Sequence, residues 1–187
     1  MRILMVNRTA SQEGGVERYL VGLSRELSRQ GVGVSLVFGE GQPDEYDDSL
    51  SSRHLIPGLW AGSRPTVLDA LESFQEILEV CSPDVAYMHD LDNGAVTSHL
   101  ASRLPVVKYV HGHKETCPDG KRLLQGPVAP CTYPLSKVCF ARAYTRRCMP
   151  RSPQKACRAN RRSLRNLEAV ARLPLLLVAS EYMKKTM

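Results

Sequence analysis

The chain has 187 residues, 43% of them hydrophobic and 24% charged, and this length and composition suit one globular domain with a buried core. The longest apolar run near the C-terminus, residues 173–179, is far shorter than the roughly 20 residues of a membrane-spanning helix. The apolar run at the N-terminus is too short for a secretory signal, so we expect a cytoplasmic location.

The N-terminal part of the chain predicts a βαβ unit. Arg2–Asn7 is almost wholly apolar, which is typical of a strand buried on both faces of a parallel sheet. Apolar residues then follow at helical spacing from Val16, and Gly31 is placed to end that helix. Val32–Phe38 predicts the second strand.

The alternation of strands and helices continues along the chain. The pattern predicts a short strand near 54–56, a helix over 66–80, a strand over 84–88, a helix over 93–103, a strand over 105–110, a basic helix over 154–172, a strand over 175–179 and a helix from 180. A Pro- and Cys-containing segment, about 111–153, interrupts this alternation. We therefore predict a Rossmann-like open parallel sheet with flanking helices and one insertion. The last helix stops after a few residues, so we expect a longer protein.

Two adjacent glycines, Gly14 and Gly15, stand between the first strand and the first helix. In such sheets the loop after the first strand is a common phosphate site, because free N–H groups at the helix start attract anions. The spacing is neither G-x-G-x-x-G nor the P-loop pattern, so the usual dinucleotide and ATP fingerprints are absent. Spacing alone leaves open a simple turn or a cradle for an anionic group.

Positive charge is concentrated in one block. Residues 137–165 contain ten Lys or Arg and no Asp or Glu, whereas acidic residues gather at 40–48. Such a block indicates an anionic partner, which could be a phosphate-bearing substrate, a lipid surface or a nucleic acid, or else a solvated helix face. Only Phe140 and Tyr144 are available there for base stacking, which argues against nucleic acid.

Five of the six cysteines fall between residues 117 and 157, without a C-x-x-C pair. Spacing alone leaves three states of these cysteines open: they bind a structural metal, form a disulfide or remain free thiols. A reducing cytoplasm disfavours a disulfide. If a metal such as zinc is bound, the candidate ligands are Cys117, Cys131, Cys139 and Cys148.

Four stretches occur in an informative order: RILMVNRTASQEGGVERYLVGLSRELSRQGVGVSLV, SPDVAYMHD, PVVKYVHGH and LLLVASEYMKKTM. Together they resemble the N-terminal domain of the group 1 glycosyltransferases, also called glycosyltransferase family 4. The resemblance covers most of the chain outside residues 40–65 and 117–160, and a Cys-bearing insertion occurs in a subset of that family.

The resemblance implies one half of a GT-B fold, in which two Rossmann-like domains face each other across a cleft. Residues 1–187 would form the N-terminal, acceptor-binding domain. The C-terminal domain, which binds the nucleotide-sugar donor and carries a Glu-x7-Glu pair, would be absent from this chain. The whole protein would then be a retaining glycosyltransferase that needs no metal or other cofactor, and this chain would be inactive alone.

The resemblance also implies roles for particular residues. His111 corresponds to the family's histidine beside the transferred sugar and is the candidate catalytic residue. His113 has no counterpart, and we expect it at the surface. The candidate substrate-binding residues are Gly14, Gly15, Arg18, His89 and Asp90.

Basic helical surfaces on this domain of the family dock on anionic membranes or phosphorylated acceptors. We therefore expect residues 142–165 to contact an anionic surface, which would make the protein peripheral to the inner face of the membrane. Two alternatives stay open. One is a non-catalytic, basic binding module that is held together by a structural metal. The other is a different GT-B enzyme such as a sugar-nucleotide epimerase.

Overall fold

The structure is a computed structural model. It describes residues 1–11, 14–59, 64–125, 128–149 and 152–186, with the side chains of 47 and 64–66 left undescribed. Six parallel strands form the main sheet in the order β3-β2-β1-β4-β5-β8. These strands are β1 Arg2–Thr9, β2 Gly33–Glu40, β3 Ser52–Leu55, β4 Val85–Met88, β5 Val106–Val110 and β8 Leu175–Val178. A separate antiparallel hairpin is made by β6 Leu123–Gln125 and β7 Val128–Pro130.

Helices connect the strands of the main sheet. They are α1 Gly15–Arg29, α2 Arg64–Cys81, α3 Gly94–Ala101, α4 Cys139–Thr145, α5 Pro153–Val170 and α6 Glu181–Thr186, with a short 3-10 helix at Asp44–Ser49. The predicted Rossmann-like fold is confirmed, and each predicted element is found within a few residues of its expected bounds. The insertion between β5 and α5, which the sequence left without assigned structure, contains the β6–β7 hairpin and α4.

Strands β1 and β2 are buried on both faces of the sheet, as their near-continuous hydrophobic sequences predict. On β1, Leu4 and Val6 belong to one buried cluster, which also includes Phe74 of α2. Ile3 and Met5 point to the opposite face and pack in a second cluster beneath α1. This alternation follows from the two-residue period of a strand. It determines the face of the sheet on which each further side chain of the strand lies.

Two glycines are required by the backbone around the helices. Gly31 has φ of +75° and ends α1, with its N–H and that of Val32 donating to carbonyls of the last turn. Gly94 lies where α3 meets α5, and a Cβ built there would be 3.0 Å from the carbonyl oxygen of Arg165. The N–H of Gly94 donates to Asn166 Oδ1 at 2.7 Å, so this close approach fixes the basic helix α5 against α3.

Within the described residues, no helix is both long enough and apolar enough to cross a membrane.

Candidate functional site

The candidate site lies at the carboxyl edge of the sheet. Strand β1 pairs with β2 on one side and with β4 on the other, so the chain reverses its direction of winding between β1 and β4. Ligands of open parallel sheets bind in the crevice that forms at such a point. The loops after β1, β4 and β5 bring Gly14, Gly15, His89, Asp90 and His111 to this edge.

Aromatic rings from three elements meet on the α1 face of the edge. Residues two apart on a strand share a face, so Tyr87 lies beside His89 and Tyr109 lies beside His111. The ring centroids of these two pairs are 4.2 Å and 4.4 Å apart. Tyr19, in the second turn of α1, covers the cluster, with its ring centroid 5.8 Å from those of both His89 and Tyr109.

The two histidines are joined directly. His89 Nδ1 lies 3.0 Å from His111 Nε2, and His89 is fully buried. Burial, the nearby His111 and the charge of Lys108, in decreasing order of effect, together lower the pKa of His89 to about 3. Burial also lowers the pKa of His111, although the carboxylates of Asp90 and Glu17 oppose that shift. Both rings are therefore neutral at neutral pH.

Because both rings are neutral, one nitrogen of the pair must donate and the other must accept. His89 Nε2 is buried without a hydrogen-bond partner. A buried N–H without an acceptor is rarer than a bare lone pair, so we assign the proton of His89 to Nδ1. His89 then donates to His111 Nε2, and His111 carries its own proton on Nδ1. The pair thus presents an N–H donor from His111.

A hydroxyl pair extends the polar edge. The Tyr19 and Tyr87 hydroxyl oxygens are 3.0 Å apart. Burial raises the pKa of Tyr87, and the hydrogen bond with Tyr19 raises it further. The phenol therefore stays protonated over the range in which proteins are stable, and it keeps its hydrogen-bond donor.

A charged cavity of about 200 Å³ opens beside the histidines. Lys114 Nζ donates to Asp90 Oδ1 at 2.6 Å, and Arg162 Nε lies 2.9 Å from Asp92 Oδ2. Arg8, at the end of β1, adds a third cation to the lining. Segment 117–120, at the start of the insertion, completes the wall. The cavity therefore offers carboxylate acceptors for hydroxyl groups and cationic donors for anionic groups.

A buried ion pair supports the loop after β4. Lys108, in the middle of β5, points away from the aromatic cluster, and its Nζ lies 3.3 Å from Glu115 Oε1. The same nitrogen donates to the carbonyl oxygen of Leu91 at 2.9 Å. Both charged groups are buried, so each depends on the other to offset the loss of water. The pair ties the start of the insertion to the loop that carries Asp90.

The glycine pair is not required by a strained backbone. Gly14 has an extended conformation, with φ of −155°, and a Cβ there would lie 3.2 Å from Glu17 Oε2. A Cβ on Gly15 would meet nothing within 4 Å. Neither residue has the positive φ that favours glycine. Arg18 is exposed in the first turn of α1.

The structure brings together most of the predicted site residues. His89, Asp90 and His111 share the carboxyl edge with the first turns of α1, and Arg162 of the basic helix reaches the charged cavity. His113, which we expected at the surface, is partly exposed, and its ring packs edge-on against that of Tyr182, with the ring centroids 6.0 Å apart.

Sequence reasoning did not select Lys108, Glu115 or the tyrosines of the cluster. A lysine within an apolar strand is unusual, because Lys side chains are seldom buried without a partner. This lysine was the one local feature of the sequence that indicated a buried ion pair. The tyrosines gave no such signal, because aromatic residues in strands and helices usually pack in cores.

None of the six cysteines is joined to another in a disulfide. The four candidate metal ligands line a second cavity of about 30 Å³ within the insertion: Cys117, Cys131, Cys139 and Cys148. Burial raises the pKa of Cys148, and the other three thiols raise it further. As the side chains stand, no group of three or more His, Cys, Asp or Glu in the described ranges is arranged to hold a metal ion.

The strand order and the polar crevice at its reversal point define a Rossmann-like ligand-binding domain. The chain belongs to glycosyltransferase family 4, because the family model described as Glycosyltransferase Family 4 matches residues 13–187. This membership assigns the domain to glycosyltransferase-type enzymes. A comparison with curated proteins gave no match.

One solved structure similar to this chain is that of UDP-GlcNAc 2-epimerase from Neisseria meningitidis bound to UDP-GlcNAc. The similarity covers 58% of this chain and 32% of that one, at 14% sequence identity and a TM-score of 0.38. The matched region thus spans about a third of the epimerase chain.

Proposed function

We propose that this chain is the acceptor-binding part of a retaining glycosyltransferase that takes a sugar from a nucleotide-sugar donor. The observation that carries the proposal is the hydrogen-bonded pair of His89 and His111 beside the charged cavity, at the carboxyl edge of a family 4 domain. The acceptor would be a glycan, or a lipid-linked or phosphate-bearing sugar, held mainly by this domain. The donor would be held mainly by a second domain.

His111 is the proposed catalytic residue. Its Nδ1–H would donate to an oxygen of the reacting sugars, and His89 would fix the ring and its tautomer. A neutral imidazole is suited to this task because its N–H can donate to developing negative charge while its other nitrogen accepts the hydrogen bond from His89. In this proposal His89 is a positioning residue, since its side chain is fully buried.

The charged cavity is the proposed acceptor subsite. Asp90 and Asp92 would accept hydrogen bonds from sugar hydroxyls, and Arg8, Lys114 and Arg162 would hold a phosphate or carboxylate of the acceptor. Gly14 and Gly15 would let a substrate approach the start of α1, and the exposed Arg18 would add a cation at that approach.

The proposed chemistry depends on positioning and electrostatics rather than on a covalent intermediate of this domain. The donor phosphate would help to deprotonate the acceptor hydroxyl on the face from which the leaving group departs. The nucleotide sugar is then a substrate, and the proposal includes no cofactor.

An anionic surface is the proposed docking partner of the basic block, residues 142–165. Exposed basic side chains follow α4 and continue on α5: Arg146, Arg147, Lys155, Arg158 and Arg161. Binding of the chain to phosphatidylglycerol vesicles should weaken steeply as salt is added, because exposed charges are screened. Binding that is insensitive to salt, or equal on neutral phosphatidylcholine vesicles, would remove this part of the proposal.

The test of the function is a transfer assay on two proteins, the 187-residue chain and a longer protein that joins it to its donor domain. We expect the longer protein to release nucleoside diphosphate from UDP-glucose, UDP-GlcNAc or GDP-mannose only when an acceptor is present. The 187-residue chain should release none. Conversion of UDP-GlcNAc into its 2-epimer without net transfer would instead support the epimerase alternative.

Variants of Gly14 and Gly15 test the role of the glycine pair in the same transfer assay. Replacing Gly14 and Gly15 by Ala together should lower turnover at least about tenfold, which is about 1.4 kcal/mol of transition-state stabilisation. It should leave the urea midpoint nearly unchanged, since neither site has a positive φ. The matched control is Gly22→Ala, at an open position on the same helix. Equal turnover in both variants would mean that the pair is only a turn.

A further inference from the structure

The insertion has too small an apolar core to hold its own shape. Its buried hydrophobic cluster consists of Ala143, Met149 and Ala156, the last of which belongs to α5. Large apolar side chains of the insertion, including Val138 and Phe140, are exposed. By contrast, two extensive clusters pack on the main sheet. Small units with so little core are usually held by disulfides or a structural metal.

Four thiols from separate parts of the insertion line one small cavity. They come from the loop after β5, the residue after β7, the start of α4 and the segment after α4: Cys117, Cys131, Cys139 and Cys148. The cavity, of about 30 Å³, has room for a single ion or water and none for a sugar. Cys81 and Cys157 are not part of its lining.

Two guanidinium groups line the same cavity without an acidic partner. Arg122 is buried, and it donates to the carbonyl oxygens of Cys131, Tyr133 and Thr186. Arg142 lies 4.1 Å from the centre of the Tyr133 ring, and its Nη1 is buried without a hydrogen-bond partner. In the ranges that the structure describes, neither forms an ion pair with a carboxylate. Arg122 and the Nη1 atom of Arg142 thus place positive charge in a buried region, where charges are normally paired with an opposite charge.

We propose that Cys117, Cys131, Cys139 and Cys148 bind one zinc ion that closes the insertion. Each thiol would lose its proton to solvent as its sulfur binds, with no electron transferred. Four thiolates around a dication leave a net negative charge, which Arg122 and Arg142 would balance. Two disulfides would be neutral and would leave both cations uncompensated.

Binding would draw the four sulfurs together, since as the side chains stand they are not arranged as a ligand set. Zinc binding would also affect the charged cavity, because Cys117 and Pro118 line both cavities. A zinc ion at the thiols would therefore fix segment 117–120, which forms one wall of the charged cavity.

The test uses the 187-residue chain, purified in reducing buffer with zinc and then freed of unbound metal. We expect one zinc per chain by elemental analysis, as for a tetrahedral structural site. With zinc bound, only Cys81 and Cys157 should react with a thiol reagent, and a mercurial that displaces zinc should expose the other four. Cobalt added to the metal-free chain should give the absorption of a tetrahedral tetrathiolate.

Variants identify the ligands. Cys131→Ser and Cys148→Ser should each abolish the tetrathiolate cobalt spectrum and lower zinc retention at least tenfold. The matched controls Cys81→Ser and Cys157→Ser should retain both. Six reactive thiols with no zinc in the wild-type chain would overturn the proposal, and so would disulfides found by mass spectrometry. Both of these results come from the wild type, so they decide the question even if a variant fails to fold.

Discussion

The buried histidine pair makes the stability of the domain depend on pH in a way that can be calculated. His89 has a pKa of about 3 in the folded chain, against 6.5 when it is exposed. A histidine with a lowered folded pKa binds its proton more readily in the unfolded state, so acid favours unfolding. Its contribution is fully present above the unfolded pKa and is lost as the pH falls from 6.5 towards 3.

The size of the effect follows from these two values. Between pH 7 and pH 5 the unfolded His89 gains most of a proton while the folded one stays neutral, which costs about 2 kcal/mol of unfolding free energy. The other four histidines also have lowered pKa values, so the wild-type protein should lose more than this in total. A variant is needed to isolate the share of His89.

The measurement is equilibrium urea unfolding of the wild type and His89→Asn at both pH values. Asparagine keeps a donor near the position of Nδ1 but does not titrate. Its loss of packing against Tyr87 is the same at both pH values, so it cancels in the difference. We expect the wild type to lose about 2 kcal/mol more than the variant. His99→Asn, at a half-exposed site, should reduce the pH dependence less. An equal pH dependence in the wild type and His89→Asn would refute the reasoning.

Two further predictions concern packing and charge. Glu115→Ala leaves Lys108 buried without its anion, so it should lower the unfolding free energy by about 3 to 5 kcal/mol, and the double change with Lys108→Met should recover part of that loss. If Glu115→Ala were as stable as the wild type, water would have replaced the Glu115 carboxylate as the partner of Lys108. Gly94→Ala pushes α3 away from α5 and should cost about 1 to 3 kcal/mol, whereas Gly22→Ala, in open space on α1, should add about 1 kcal/mol. Urea denaturation measures both, and similar midpoints for the two glycine variants would contradict the close approach.

The order of elements was readable from the sequence because each strand has its own local signature. Short apolar runs, helical spacing and a glycine after α1 report burial and period within a few residues. The right-handed crossover rule then turns this order into a parallel sheet whose carboxyl ends share one edge. That chain of reasoning correctly expected His89, Asp90 and His111 at the same edge of the sheet.

The contacts within that edge came only from the tertiary structure. The register of β4 on β5 pairs Met88 with Lys108, and this places His89 within hydrogen-bond distance of His111. The two-residue period of β5 places Lys108 on the other face, where Glu115 meets it. No local pattern specifies a register between strands that are separated by a helix, because register depends on how the whole sheet packs.

The insertion is the clearest case of this difference between what the sequence predicts and what the tertiary structure decides. From sequence, its cysteines were a group with uninformative spacing, and its structure was not assigned, since it lacks a regular hydrophobic period. Folding of the β6–β7 hairpin and α4 brings four of these thiols to one cavity beside two arginines. The sequence by itself therefore determined the sheet, its edge and the residue types available there. The tertiary structure decided which side chains meet, because those meetings join residues that are distant along the chain.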